Sequence, residues 1–316
     1  MFTAFFLLRH FVFQTVLLIC FVCYSVEAAE ASITLHFPDN LSVGRIYLLK
    51  PGYINALVRN FVTASACDAR GQVKVRPGQM LSLVGNYALT ENMRALRNLP
   101  PNAFVHLDLR KLEITGADLV NIAHLTGLRQ LELDNTDVDD SGLRYLASMI
   151  SLQNLGLSKT LITGESLDQL RPLKQLTSLD LGRTRLKPRC LATLSDFKSL
   201  TTLRLDECGV TNTDLQVIAA LPKISFLSLK ENPRINWQGF VELRRSRSLK
   251  TLCLTGNRLT EREILALGGF SLDRLILRAA DLDQPRSLLL KRLMPHTVIE
   301  IEAVSHEPLD LFAPLH

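Results

Sequence analysis

His106 and Asp108 lie two residues apart in an alternating stretch, and a histidine beside a carboxylate is half of a general-base arrangement. No nucleophile stands with them, so the histidine reads as a solvated surface residue. Glu132, Asp134 and Asp180 form a loose acidic group. A calcium site needs more carboxylates converging on one point, so this group reads as a charged, hydrated face. The densest basic run is Arg244-Arg245-Ser246-Arg247 with Lys250. It falls near a helix end, where cations are favoured; the alternative is a docking site for an acidic partner. There is no glycine-rich phosphate loop and no Gly-x-Ser-x-Gly elbow. No set of His, Cys and carboxylates has metal-ligand spacing. Basic residues are not interleaved with the aromatics that nucleic-acid binding uses. The expectation is therefore no catalysis, no cofactor, no metal and no nucleic acid.

The elements that carry these residues follow one pattern, Leu-x-x-Leu-x-Leu. Its eight copies start at Phe104, Leu128, Leu152, Leu176, Leu200, Ile224, Leu249 and Leu272, in steps of 24 residues except for one of 25 and one of 23. Positions four and six are Leu in every copy, from Leu107 and Leu109 to Leu275 and Leu277. Alternating apolar residues predict a short strand with one face buried. Apolar residues then fall at positions sixteen, nineteen and twenty-two, as in Leu167, Leu170 and Leu173. That spacing predicts a helix face. One strand and one short helix cannot bury their apolar faces alone, so neighbours must stack into a common core. Helices, about 10 Å wide, take more room than strands about 4.8 Å apart, so the array must curve with the sheet inside.

Residues Phe104 to about Ala303 resemble leucine-rich repeat proteins, with the short bacterial-type repeat. Thr stands at position nine where many families have Asn, as in Leu133-Asp-Asn-Thr136-Asp-Val138 and Leu181-Gly-Arg-Thr184-Arg-Leu186. The resemblance implies an α/β leucine-rich repeat solenoid: a horseshoe with a parallel concave sheet and convex helices. It implies binding of a protein or other macromolecule on the concave face. A Thr hydroxyl at position nine can bond loop backbone as the family's Asn does, with fewer bonds available.

Four regions follow. Residues 1–28 read as a signal peptide: Arg9 and His10 precede the apolar run 11–26, and Val26-Glu27-Ala28 suits cleavage. The alternative is an uncleaved membrane anchor. Residues 29–103 read as a β-rich N-terminal cap that includes a degenerate first repeat at 80–103. Within it, Gly71–Arg76, Pro77-Gly78 and Met80–Val84 read as a hairpin. Residues 104–303 are the repeat domain with a final strand, and 304–316 a capping tail. Outside the leader, Cys67, Cys190, Cys208 and Cys253 are not clustered as a disulfide module would be. Cys208 reads as a small core residue, and Cys253 as open to the concave face. Net charge is +5, from 36 basic and 31 acidic residues, which describes a mixed surface with no bias towards nucleic acid or anionic membrane.

Binding is expected on the C-terminal half of the concave face. Thr202, Arg204, Phe226, Ser228, Lys230, Thr251, Cys253, Arg274 and Ile276 combine an apolar centre with polar and cationic neighbours, as interfaces do. Repeat six is irregular there, with its extra residue and Trp237; the alternative packs Trp237 under the loop. The sequence thus describes an exported, non-catalytic repeat protein with a protein partner, secreted, periplasmic or on the cell surface. With the leader cleaved, no stable membrane insertion is expected. The competing reading is a substrate-recognition or adaptor subunit of an enzyme complex, such as a ubiquitin-ligase-type assembly.

Overall fold

The computed structural model of the chain describes residues 32–49 and 66–302. The signal-peptide reading of 1–28 and the tail reading of 304–316 fall outside those residues. Five strands come first: β1 (Ile33–His36), β2 (Gly44–Leu49), β3 (Ala66–Asp68), β4 (Gln72–Val75) and β5 (Met80–Gly85). One strand per repeat follows: β6 (His106–Asp108), β7 (Gln130–Glu132), β8 (Asn154–Gly156), β9 (Ser178–Asp180), β10 (Thr202–Arg204), β11 (Phe226–Ser228), β12 (Thr251–Cys253) and β13 (Arg274–Arg278). The last is β14 (Val298–Glu302). The architecture is α/β. A 12-stranded sheet runs in the order β14 back to β5, then β2 and β3, and is parallel from β5 to β14.

Parallel register repeats the sequence period. Leu107 of β6 stands opposite Leu83 of β5 and Leu131 of β7, and Leu203 opposite Leu179 and Leu227. The Leu residues at positions four and six of all eight copies are at most 2% exposed and belong to one continuous core. Each such side chain contributes about 1.5–3 kcal/mol on burial, and none can be buried without the neighbouring repeat.

The other face of that core is helical. The α-helices are α1 (Tyr87–Glu91), α2 (Leu143–Leu146), α3 (Asn212–Ala219), α4 (Trp237–Leu243), α5 (Glu261–Leu267) and α6 (Gln284–Leu293). Repeats one, three and four instead use 3-10 helix, at Gly116–Asn121, Leu167–Leu170 and Cys190–Asp196. Apolar steps of three suit this form, because residues i and i+3 eclipse at three residues per turn. Helices α3 and α5 begin with capping boxes, Thr211 with Asp214 and Thr260 with Glu263, which satisfy amides that lack an intrahelical partner.

Position eight turns the chain off the sheet. Lys111, Asn135, Lys159, Arg183, Glu207 and Glu231 have φ between 52° and 62°, and Gly256 has 77°. This left-handed backbone is costly for side-chain-bearing residues. Each turn is held by a bond to the next repeat, such as Lys159 N–H to Gly182 O at 2.8 Å and Glu207 N–H to Lys230 O at 2.8 Å. At position nine, Thr136, Thr160 and Thr184 donate to the carbonyls of Leu133, Leu157 and Leu181 in their own repeats. Cys208 is buried and donates to Leu181 O.

Two expectations fail here. The hairpin across Pro77-Gly78 does not form: β4 pairs antiparallel with β1, while β5 pairs with β2 and β6. The reason is burial. Leu81 and Leu83 of β5 enter the main core, whereas β4 alternates exposed and half-buried residues. Trp237 is also not packed under its loop; it is 39% exposed at the start of α4.

Candidate binding face

Strand alternation places positions three, five and seven of every repeat on the sheet face opposite the Leu core. The register makes them columns. Position three runs Ser82, His106, Gln130, Asn154, Ser178, Thr202, Phe226, Thr251, Arg274. Position five runs Asp108, Glu132, Gly156, Asp180, Arg204, Ser228, Cys253, Ile276. The nine residues singled out from the sequence therefore meet on four consecutive strands and the turn after β11. Thr202, Phe226, Lys230, Thr251 and Arg274 are half-buried there.

The position-five members are not open, which corrects the sequence reading. Arg204 is 7% exposed, Ser228 and Cys253 0% and Ile276 1%. The position-seven side chains beside them form polar bonds with them and with one another. Ser228 donates to Asp206 at 2.5 Å, Lys230 reaches Glu302 at 2.7 Å, and Thr255 donates to the same carboxylate at 2.8 Å. Arg204 stands 3.7 Å from Asp180. Burial pushes the Cys253 thiol up, with Lys230 opposing.

The acidic group is likewise not a hydrated face. Glu132 is 6% exposed, and burial raises the pKa of Glu132, Asp134 and Asp180 above the ordinary carboxylate range. Asp108, on the neighbouring strand, goes the other way: Arg110, bonded to both of its oxygens through Nε and Nη2, holds it down against the opposing effect of burial. Among the described residues, no group of three or more His, Cys, Asp and Glu could hold a metal ion.

His106 is corrected too. It is buried, with Nδ1 2.7 Å from Ser82 Oγ, and burial lowers its pKa to about 4. A serine beside an imidazole has the residue types of an acyl-transfer pair. Here Ser82 is fully buried, and both oxygens of Asp108 are engaged by Arg110. The pair ties β5 to β6. Sequence reasoning missed Ser82 because the columns were started at Phe104; one further period back reaches it.

The four cysteines among the described residues are free, and Cys208 is a core residue as expected, its thiol pushed by burial up to about 12. In the basic run, Arg244, Arg245, Arg247 and Lys250 are all exposed and Ser246 is buried; Arg245 pairs with Glu242, and Lys250 with Asp273. No helix among the described residues is long and apolar enough to cross a membrane.

No protein-family model and no curated protein matches the chain. Among solved structures, it is similar to the crystal structure of an internalin from Listeria monocytogenes, at 15% identity and a TM-score of 0.38, over 67% of this chain and 77% of that one.

Proposed function

We propose that this chain is an exported, non-catalytic leucine-rich repeat protein that binds another protein through its sheet face, between repeats five and eight. One observation carries the reading: Phe226 lies half-buried between Thr202 and Thr251 in a register-matched column that continues to Arg274. An aromatic flanked by short polar side chains and an Arg suits an interface core and rim. The spacing difference between strands and helices supports a horseshoe with this face on its inside. Residues 29–103 act as the N-terminal cap in this reading. Leu35, Phe37, Val43 and Ile46 are buried in the same core as Leu83 and Leu89, as the closure of an open repeat end requires. The apolar leader supports export.

The test is capture from the native host with three forms of the chain. Wild type and Ile150→Arg retain the same partner, because Ile150 is a 57% exposed apolar residue outside the sheet. Phe226→Arg loses it. Capture by Phe226→Arg at the wild-type level would contradict the proposal.

A further inference from the structure

Glu132 and Asp134 project from the same face of repeat two, and their bonds leave one oxygen of each carboxyl group turned towards the other residue. Glu132 Oε1 accepts from Gln130 Nε2 at 2.8 Å, and Asp134 Oδ1 accepts from the Ser158 N–H at 2.7 Å. The other oxygens converge over Gly156, where a Cβ would collide with Glu132 Oε2 and with the Asp134 carboxyl group. Glycine at this position leaves room for both as they stand. The two carboxyl groups therefore crowd one another over Gly156, with Glu132 buried. Ionised carboxylates are acceptors only, so a bond between them requires a proton on one of them, and two like charges this close disfavour double ionisation.

The charged groups around the pair do not remove that requirement. From β6 and its turn come Asp108 and Arg110, and Arg110 is engaged by both oxygens of Asp108. From β9 comes Asp180, which adds negative charge and faces Arg204. The pair accepts hydrogen bonds from neutral donors, the Gln130 amide and the Ser158 N–H.

We propose that the Glu132–Asp134 pair keeps one proton in the folded protein at neutral pH and releases it in mild alkali, acting as a proton-operated latch between repeats two and three. The shared proton lets both side chains lie over Gly156 while Asp134 holds the Ser158 amide of the next repeat. Its release leaves two adjacent negative charges against repeat three. Burial, and then the Asp134 charge, pushes Glu132 up to about 8. The folded chain therefore binds more protons here than the unfolded chain does, and stability falls as pH rises through this range. The contribution is complete below the ordinary glutamate pKa and is lost towards about pH 8. This is the reverse of ordinary acid denaturation.

The experiment compares melting temperature against pH, from about pH 5 to about pH 9, for the full chain and Glu132→Gln. The amide keeps the shape and offers Asp134 an N–H donor without needing the proton. The wild-type melting temperature falls across the range, the Glu132→Gln curve is flatter, and the variant is the more stable form at the alkaline end. Parallel curves would overturn the proposal. Infrared spectroscopy of the wild type supplies a readout independent of how the variant folds. A protonated-carboxyl carbonyl band is present at neutral pH and titrates away in mild alkali. Its absence at neutral pH would equally overturn the proposal.

Discussion

Asn232 and Asn257 are joined across one repeat: the Asn232 N–H donates to Asn257 Oδ1 at 2.9 Å. The Asn232 side chain also reaches back, accepting from the Val210 N–H at 2.9 Å and donating to Leu205 O at 2.8 Å. Asn232 thus ties three successive repeats, whereas Thr160 bonds only Leu157 of its own. Replacing Asn232 by Thr leaves the buried Val210 amide without its acceptor, and an unmade buried bond costs about 1–3 kcal/mol. Thr160→Ala, which loses one local bond, costs about 1 kcal/mol. Urea unfolding of the two variants checks the order; a larger loss for Thr160→Ala would show that cross-repeat bonds do not matter.

Leu205 and Arg204 give the second prediction. Leu205 is fully buried in the shared core, and Leu205→Ala costs about 2–5 kcal/mol through the cavity it leaves. The sequence reading placed Arg204 among the binding residues of the concave face. The structure reverses this, because Arg204 is buried against Asp180. Arg204→Asp would set two carboxylates together with no cation between them, and breaking a buried pair costs about 3–5 kcal/mol. Both variants therefore unfold at lower denaturant than the wild type, while Leu161→Ala, at an exposed side chain, stays within about 0.5 kcal/mol. Wild-type stability in Arg204→Asp would show that this face is open after all.

Period and chemistry agreed where one residue type recurs. Leu107, Leu131 and the rest need only their own repeat to be recognised as core, so the strands and their register were legible. Burial at position five was not, because it depends on side chains about a repeat away, as Ser228 depends on Asp206. The Pro77-Gly78 turn misled for a related reason. A local hairpin signal lost to Leu81 and Leu83, which bury more apolar surface by pairing β5 within the main sheet. Of the candidate face, the gathering of nine residues was legible, and the accessibility of only some of them was not.

Lys159 tests the turn at position eight. It is exposed with φ 55°, a conformation costing roughly 1–2 kcal/mol for a residue with a Cβ. Glycine removes that strain but costs about 0.5–1 kcal/mol in unfolded-chain entropy. Lys159→Gly is therefore neutral or stabilising by up to about 1 kcal/mol, and Lys159→Val destabilising. Calorimetric melting of the pair decides; a stabilising valine would show that the turn is not strained.

The cap of α5 is a local test. Thr260 and Glu263 form a capping box, and Glu263 also accepts from the Trp237 N–H of the previous repeat at 3.0 Å. Thr260→Ala costs about 1 kcal/mol by loss of the cap. Glu263→Ala costs more, since it also releases the Trp237 amide. Equal losses in denaturant unfolding would mean that the bond to Trp237 contributes nothing.

The most direct measurement is the affinity of the captured partner for Phe226→Ala against wild type and Ile150→Ala. An aromatic anchor truncated to alanine loses about 2 kcal/mol or more, roughly thirtyfold in Kd. The account predicts that loss for Phe226→Ala, with an unchanged melting temperature and no loss for Ile150→Ala. Unchanged affinity in Phe226→Ala together with weakened binding in Ile150→Ala would place the partner away from the sheet face and contradict the account.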